Sequence, residues 1–226
     1  MSRRDPHAGA DPHGDEELVT AGTPVDEADA AVVLVHGRGA TARSIVGFGE
    51  EVSPADGNVA LLAPQAAANT WYPNSFLAPV DDNEPGRSSG LRAVGNAVET
   101  ATDAGIAPDR VLLAGFSQGA CLASEFVART PREYGGLAVL SGGLIGESID
   151  VDDYAGGVPA DALGGTPAFL GCSDVDPHIP EERVHATAEV LEALGGDVET
   201  RIYEGMGHGI NADETERVSA MVAALA

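Results

Sequence analysis

The feature that most constrains the fold is a serine placed between a short apolar run and an amphipathic stretch. The apolar run at 111–114 leads into the sequence Gly-Phe-Ser-Gln-Gly, whose serine is Ser117. Apolar side chains then recur at helical spacing over 120–127. The pattern predicts a buried strand that ends in a sharp turn and continues directly into a helix. The two glycines lack a Cβ, so neighbouring backbone can approach the turn closely.

A Gly-x-Ser-x-Gly sequence at a strand-to-helix turn is typical of the nucleophile elbow of α/β-hydrolases. A serine hydroxyl is a weak nucleophile, so it must project to a place where a base can remove its proton. The free N–H groups at the start of the following helix point back toward that serine. We therefore predict that Ser117 is a nucleophile and that the backbone amide of Gln118 faces a developing oxyanion.

The rest of the chain alternates predicted strands with predicted helices. Continuous apolar runs at 30–35 and 59–63 are typical of strands buried on both faces of a parallel sheet. The alternation predicts a single α/β domain, with a mostly parallel sheet of about seven strands and helices on both faces. Together with the serine motif, this makes a single-domain α/β-hydrolase fold the expected architecture. The other predicted strands are 18–21 at an edge, 111–115, 137–140, 167–171 and 198–203, and the predicted helices are 91–101, 118–129, one beginning at Pro180 and one over 218–225.

Residues 1–16 differ from the remainder in composition, being rich in Pro, Gly, Asp and His. They predict a disordered acidic tail in front of an α/β-hydrolase domain at 17–226. His7 and His13 in this tail are more typical of solvated side chains than of metal ligands. A second Gly-rich and acidic segment, at 142–165, is predicted to be a surface excursion.

Reactive groups in an open parallel sheet gather at the carboxyl ends of the strands. His208 lies in the loop between the last predicted strand and the last helix, and we predict that it is the general base. The acid is expected after strand 167–171, where Asp174 and Asp176 are two residues apart. We favour Asp176, which leads directly into Pro-His-Ile-Pro, and Asp174 stays an open alternative. The order Ser, Asp, His is the order that α/β-hydrolases use.

The second oxyanion donor is expected at the end of strand 30–35, where the chain reads His-Gly-Arg-Gly. This turn is similar to the H-G-x-G turn of esterases, and the backbone N–H of Arg38 is predicted to pair with that of Gln118. Trp71 and Tyr72 follow strand 59–63 and are predicted to bind substrate in the pocket wall. A core position is the equal alternative for Trp71. Residues 73–79 are predicted to form an apolar flap over the site.

The charge of the chain excludes several partners. There are 36 acidic residues against 12 basic ones, all arginine, for a net charge of -24. Such a charge repels nucleic acid and anionic membranes. No apolar run reaches the roughly 18 residues of a membrane span, so no membrane insertion is expected. Molar salt screens the self-repulsion of the chain, which favours a cytoplasmic protein from a salt-loving organism.

Taken together, the motifs resemble the phospholipase/carboxylesterase family, the acyl-protein-thioesterase-like branch of the α/β-hydrolases. The resemblance covers about residues 30–225. The motifs that carry it are His-Gly-Arg-Gly at 36–39, Ala63-Pro64 with Trp71-Tyr72, Gly-Phe-Ser-Gln-Gly-Ala at 115–120, Asp-Val-Asp-Pro-His-Ile-Pro at 174–180 and Gly-Met-Gly-His at 205–208.

The resemblance implies a catalytic triad of Ser117, Asp176 and His208, and an oxyanion hole formed by the backbone amides of Arg38 and Gln118. It therefore supports Asp176 over its neighbour two residues away. It also implies a compact domain without a large cap, hydrolysis of carboxylic esters or thioesters, and no requirement for a cofactor or a metal.

Two departures from the family pattern bear on the substrate. Members that remove acyl groups from proteins usually have an acid after the H-G-x-G turn, where this chain has Ala40. Their long segment that grips the acyl chain has no clear counterpart between Tyr72 and Leu91. We therefore expect a carboxylesterase for small molecules with short to medium acyl chains. One alternative is a thioesterase or lysophospholipase of the same family, and another is a non-catalytic binding protein of the same fold. The protein is expected to be a monomer or a homodimer.

Overall fold

The computed structural model describes residues 9–55 and 57–225, and in this part of the chain a mostly parallel sheet of seven strands forms the centre. The strands are β1 (Leu18–Gly22), β2 (Ala30–Val35), β3 (Val59–Pro64), β4 (Val111–Phe116), β5 (Gly136–Leu140), β6 (Pro167–Ser173) and β7 (Asp197–Tyr203). Their spatial order is β1-β3-β2-β4-β5-β6-β7. The edge strand β1 runs antiparallel to β3, and the other neighbouring pairs are parallel.

Helices cover both faces of this sheet. They are α1 (Ala42–Val52), α2 (Gly86–Asp103), α3 (Gln118–Arg129), α4 (Asp152–Ala155), α5 (Glu181–Ala193) and α6 (Ala212–Ala223). Helices α1 and α6 pack on one face, and α2, α3 and α5 pack on the other. The predicted single-domain α/β fold is confirmed. No helix of the described residues is long and apolar enough to cross a bilayer.

The central strands show why continuous apolar runs predict this sheet. All six residues of β2 are buried, and they alternate between the two hydrophobic cores. Val33 and Val35 face α2 and α3, whereas Val32 and Leu34 face α1 and α6. Full burial of an aliphatic side chain contributes about 1.5–3 kcal/mol, so both layers of helices are held to the sheet by the same short strand.

Helix α1 is the one long helix that the sequence pattern did not predict. Glycines at 47 and 49 lower its helix propensity, although its buried positions keep helical spacing. Thr41 and Ser44 stabilise its first turn by a reciprocal capping box, and its apolar face is buried against the sheet. Gly49 is required by packing, since a Cβ there would lie 2.4 Å from Leu34 Cδ1.

The prediction of a disordered tail is wrong for residues 9–16. His13 is 3% exposed, and its Nε2 lies 2.8 Å from the Trp71 carbonyl oxygen. The backbone amide of Ala67 donates to His13 Nδ1 over 3.0 Å, and the amide of His13 donates to the Ser89 hydroxyl. A polar residue that supplies hydrogen bonds to a core is indistinguishable by composition from a solvated one. Residues 1–8, with His7, lie outside the described residues.

The Gly-rich segment at 142–165 is a surface excursion only in its second part. Residues 141–146 are buried, and Leu144 and Ile145 belong to the core on the α3 side of the sheet. The backbone amide of Ile145 donates to Glu125 Oε2 over 3.1 Å. The chain becomes mostly exposed from Glu147 onward, around the short helix α4.

Candidate active site

Ser117 lies in the turn between β4 and α3, in a backbone conformation that side chains rarely adopt (φ 56°, ψ -121°). Such a conformation costs about 1–3 kcal/mol and has to be imposed by its surroundings. The flanking glycines allow the turn to pack. A Cβ on Gly119 would lie 2.0 Å from the Val35 carbonyl oxygen, and one on Gly115 would lie 2.4 Å from the Gly119 carbonyl oxygen. The serine is therefore presented at the carboxyl edge of the sheet.

The structure brings the three predicted catalytic side chains together. His208 Nε2 lies 2.9 Å from Ser117 Oγ, and His208 Nδ1 lies 2.8 Å from Asp176 Oδ2. The Asp176 side chain is fully buried, whereas the imidazole retains 19% of its exposure. These distances suit a ring that donates from Nδ1 to the carboxylate and accepts the serine proton at Nε2.

The environment of Asp176 keeps its carboxylate ionised. Burial by itself raises the pKa of Asp176, but three hydrogen bonds outweigh this effect, so the net shift is downward. The donors are the His208 ring and the backbone amides of His178 and Ile179, with the amides 2.8 and 3.1 Å from Asp176 Oδ1. An ionised carboxylate behind the ring can stabilise an imidazolium.

Asp174, the alternative acid, has a different contact. Its Oδ1 accepts a hydrogen bond from the backbone amide of Gly205 over 2.7 Å, and its side chain is exposed. The neighbouring Ser173 hydroxyl accepts from the amide of Gly207 over 3.0 Å. Both residues tie the loop after β6 to the loop that carries His208. Sequence reasoning missed Ser173, because a serine at a strand end gives no pattern that distinguishes it.

Two aromatic rings contact the His208 imidazole. The Phe116 ring centroid lies 5.0 Å from it, and that of His178 lies 4.9 Å away, nearly perpendicular. Sequence reasoning assigned no function to His178. The sequence places His178 in the Asp-Pro-His-Ile-Pro motif, but no local pattern indicates its contact with His208, 30 positions away.

The two predicted oxyanion donors lie beside the serine. Residues 9–55 and 57–225 supply no hydrogen-bond acceptor for the backbone amide of either Arg38 or Gln118. Both residues line the same cleft as Ser117. The adjacent Gly37 lies so near that a Cβ on it would be 3.4 Å from Ser117 Cβ. Free amides at this position are suited to binding a negatively charged oxygen.

The side chains of these two residues hold the loop that forms one wall of the cleft. Gln118 Oε1 accepts from the Trp71 amide over 3.0 Å, and its Nε2 donates to the Tyr72 carbonyl over 2.9 Å. The Arg38 guanidinium donates to the carbonyls of Tyr72, Pro73 and Asn74. The first residues of the predicted flap, Pro73 and Asn74, are therefore anchored to Arg38 and form part of the cleft wall.

The prediction that Trp71 contacts substrate is wrong, whereas Tyr72 does line the cleft. Trp71 is fully buried, and its indole nitrogen donates to the His36 carbonyl over 2.8 Å. His36 and His13 pack against the indole ring. The tryptophan thus takes the core position, because residues 9–16 cover it from outside.

The cleft above Ser117 has a volume of about 540 Å³. Its described lining includes no aspartate or glutamate, although the chain has 36 acidic residues. Among residues 9–55 and 57–225, no group of three or more His, Cys, Asp or Glu side chains is arranged to hold a metal ion. The residues that line the cleft are Gly37, Arg38, Ala40, Tyr72, Pro73, Asn74, Ser75, Phe76, Phe116, Ser117, Gln118, Cys121, His178, Ile179 and His208.

A parallel sheet with a serine elbow after β4, an aspartate after β6 and a histidine before the last helix defines the class of α/β-hydrolases. The family model for phospholipase/carboxylesterase matches residues 17–226. The chain belongs to that family.

Individual relatives agree with this assignment. A crystal structure of a phospholipase/carboxylesterase from Dyadobacter fermentans superimposes with a TM-score of 0.85 at 39% identity, covering 92% of this chain and 97% of that one. Acyl-protein thioesterase 1 of Gibberella zeae is 34% identical over 56% of this chain and 53% of its own length. Carboxylesterase SOBER1 of Arabidopsis thaliana is 27% identical over 70% of this chain and 68% of its own length. The chain thus spans about half the length of the first of these curated relatives.

Proposed function

We propose that the protein is a serine hydrolase that cleaves carboxylic esters through an acyl-enzyme on Ser117. The observation that carries the proposal is the continuous line of contacts from Asp176 through His208 to Ser117, with distances of 2.8 and 2.9 Å. The two free amides of Arg38 and Gln118 supply the second requirement of acyl transfer, a site for the oxyanion.

The reaction proceeds in two stages. Ser117 Oγ attacks the ester carbonyl while His208 Nε2 takes the hydroxyl proton, and the carbonyl oxygen becomes an oxyanion bound by the two amides. The C–O bond to the alcohol breaks as the imidazolium returns the proton to the leaving oxygen. Water, deprotonated by the same ring, then attacks the acyl carbon, and the bond to Ser117 Oγ breaks as the imidazolium returns that proton to the serine and the acid leaves. Asp176 orients the ring and stabilises its positive charge in both stages.

Two features of the cleft lining favour esters with short to medium acyl chains as the substrates. Ala40 stands in the cleft where family members that act on acylated proteins usually carry an acid, and the loop at 72–76 is anchored against movement. Hydrolysis of thioesters is the second candidate, favoured by the relatives named acyl-protein thioesterase. Oxygen and sulfur esters of one acyl chain, compared by kcat/KM, distinguish the two.

The first test is Ser117→Ala. Loss of the nucleophile should lower kcat for p-nitrophenyl butyrate by about 10⁴-fold or more, since the residual rate comes from binding and the oxyanion hole alone. The thermal midpoint should not fall, because the substitution removes only the hydroxyl group and leaves the packing of α3 unchanged. Wild-type activity in Ser117→Ala would contradict the mechanism, and an inactive wild type would favour the non-catalytic alternative.

We further infer a cytoplasmic location in a salt-rich cell. The net charge of -24 makes the folded chain repel itself, and at molar salt the screening length falls to roughly 3 Å. The thermal midpoint should therefore rise between about 0.1 and 3 M KCl. An unchanged midpoint over that range would contradict the salt adaptation while leaving the hydrolase proposal intact.

A further inference from the structure

The ionisable side chains that line the cleft carry no negative charge near neutral pH. In the described lining they are Arg38, Tyr72, Cys121, His178 and His208, without an aspartate or glutamate. Burial raises the pKa of the Cys121 thiol to about 12 and that of the Tyr72 phenol well above its ordinary value, so both stay neutral. Only the guanidinium and the two imidazoles can be charged, and their charge is positive.

The acid of the catalytic site does not change this sign for a bound substrate. Asp176 does not line the cleft, and its side chain is fully buried behind the His208 ring. Its carboxylate accepts hydrogen bonds from that ring and from the backbone amides of His178 and Ile179. The charge of Asp176 is therefore satisfied inside the protein, and a substrate meets the imidazole in front of it.

The charge of Arg38 is not neutralised by a carboxylate. Its guanidinium donates to the backbone carbonyls of Tyr72, Pro73 and Asn74 over 3.0, 3.1 and 2.6 Å, and these oxygens fix its position without carrying a net charge. Among residues 9–55 and 57–225 it forms no ion pair. Other arginines of this acid-rich chain do pair with carboxylates, namely Arg43, Arg87, Arg92, Arg129, Arg201 and Arg217.

The guanidinium of Arg38 is also accessible to a ligand. Arg38 is exposed, and its Nε–H has no acceptor among the described residues. The three carbonyls that hold it belong to residues that line the cleft. The backbone amide of the same residue is a proposed oxyanion donor. A group bound to this anchored side chain is therefore held at a defined distance from the ester carbonyl.

The net charge of -24 does not exclude a small anion from the cleft. At physiological ionic strength the screening length is about 8 Å, so acids farther away than this contribute little to the potential at the substrate. A nucleic acid or a membrane presents many charges over a long distance and meets the acidic surface as a whole. A single carboxylate inside the cleft interacts mainly with the charges of the lining.

We propose that the preferred substrates are esters that carry an ionised carboxylate in addition to the ester bond, and that the Arg38 guanidinium binds this carboxylate. The inference rests on the proposed esterase function. A carboxylate is the matching anion because one guanidinium supplies one positive charge and a hydrogen-bond donor, whereas a phosphate dianion requires more of both.

The test compares esters that differ only in the charge of one group. With the carboxylate on the acyl half, the pair is the 4-nitrophenyl monoester of adipic acid and the corresponding amide, 4-nitrophenyl 5-carbamoylpentanoate. With the carboxylate on the alcohol half, the pair is 4-acetoxy-3-nitrobenzoate and 4-acetoxy-3-nitrobenzamide. The charge preference is the ratio of kcat/KM for the carboxylate to that for the amide. Division of the wild-type preference by that of a variant cancels the intrinsic reactivity of the esters.

Arg38→Met should lower the charge preference by about 5- to 10-fold for at least one pair, the effect of one solvent-accessible charged contact. Arg38→Lys keeps the charge but lacks the planar fork that holds three carbonyls. Both variants should lose activity on the amides, but the lysine should retain part of the charge preference. Arg43→Met removes one positive charge outside the cleft and should keep the wild-type preference.

Equal losses on both members of each pair in Arg38→Met would mean that the guanidinium only anchors the loop at 72–74. This result overturns the inference but not the esterase proposal. A wild type that hydrolyses none of the four esters at any KCl concentration overturns both.

The salt dependence of the wild-type preference supplies a second readout that needs no variant. Between about 0.1 and 2 M KCl, screening weakens the attraction between the carboxylate and Arg38, so the preference should fall. Both esters are measured on the same sample, so the fraction of folded protein cancels. A preference that rises with salt would mean that repulsion by the net charge dominates, and a constant one that no charge acts on the substrate. Either result overturns the inference and leaves the esterase proposal intact.

Discussion

The two walls of the cleft are held in place by different kinds of hydrogen bond. The Tyr72 wall, residues 37–40 and 72–76, is held by a side-chain amide and a guanidinium that donate to backbone carbonyls. The His208 wall, residues 173–179 and 204–211, is held by the carboxylates of Asp174 and Asp176, which accept hydrogen bonds from backbone amides. The donors of the first wall do not titrate near neutral pH, whereas the second wall includes the carboxylate of Asp176, whose pKa is lowered by its hydrogen bonds.

This difference matches two tasks that the proposed mechanism requires. In that mechanism the Tyr72 wall keeps the amides of the proposed oxyanion hole in place at every pH, because its donors keep their protons throughout. The His208 wall has to let a ring gain and lose a proton. Because its hydrogen bonds lower the pKa of Asp176, the carboxylate contributes stability above the ordinary aspartate range, and that contribution is lost only as the pH falls through the lowered value.

Of the substitutions that distinguish the two walls, Asp176→Asn should have the largest effect on kcat. The substitution leaves an amide behind the ring, which favours the wrong tautomer and no longer stabilises the imidazolium, so kcat should fall by about 10⁴-fold. The matched control is Asp174→Asn, two residues away, whose amide oxygen can still accept from the Gly205 amide and which does not contact the His208 ring. Its kcat should stay close to wild type. Equal losses in the two variants would contradict the assignment of Asp176.

A smaller loss is expected from Arg38→Met. Methionine keeps the backbone amide and much of the side-chain volume but cannot donate to the carbonyls at 72–74. The wall should loosen, and kcat/KM should fall by about 10- to 100-fold with the shape of the pH profile unchanged. Arg43→Met, which breaks only an exposed ion pair with Glu17, is the control. A shifted pH profile in Arg38→Met would mean that the Tyr72 wall is also coupled to titration.

The smallest expected effect is on the unfolding free energy, through a buried glutamate that caps the helix next to the His208 wall. Glu214 on α6 is fully buried, its Oε2 accepts from the Asn211 amide, and its Oε1 has no partner among the described residues. Burial raises the pKa of Glu214 to about 7, well above that of an unfolded glutamate. The unfolded chain therefore releases this proton first, and stability is lost as the pH rises from the unfolded value through about 7.

Glu214→Gln stays neutral, so relative to it the wild type should lose about 2 kcal/mol of unfolding free energy between pH 5 and 8. Urea unfolding at the two pH values measures the difference. Glu216→Gln, an exposed position on the same helix, is the control and should follow the wild-type pH dependence. Parallel curves for wild type and Glu214→Gln would contradict the raised pKa.

The sequence was sufficient where a pattern repeats or where position in the fold carries the information. Continuous apolar runs located β2 and β3, and the places after β4, β6 and β7 located Ser117, Asp176 and His208. The α1 helix was missed because its two glycines, of which Gly49 packs closely against Leu34, have a low helix propensity. His13 and Trp71 were misassigned because each depends on the other across 58 residues, a contact that no local pattern encodes.

The most direct measurement of the central claim is labelling with a fluorophosphonate, followed by mass spectrometry of the intact protein and of its peptides. If His208 makes the Ser117 hydroxyl nucleophilic as proposed, wild type should carry one phosphonyl group per chain on the peptide that contains Ser117. Asp176→Asn should label much more slowly, and Ser117→Ala should not label. An unlabelled wild type, or a phosphonyl group on another residue, would contradict the assignment of Ser117 as the nucleophile.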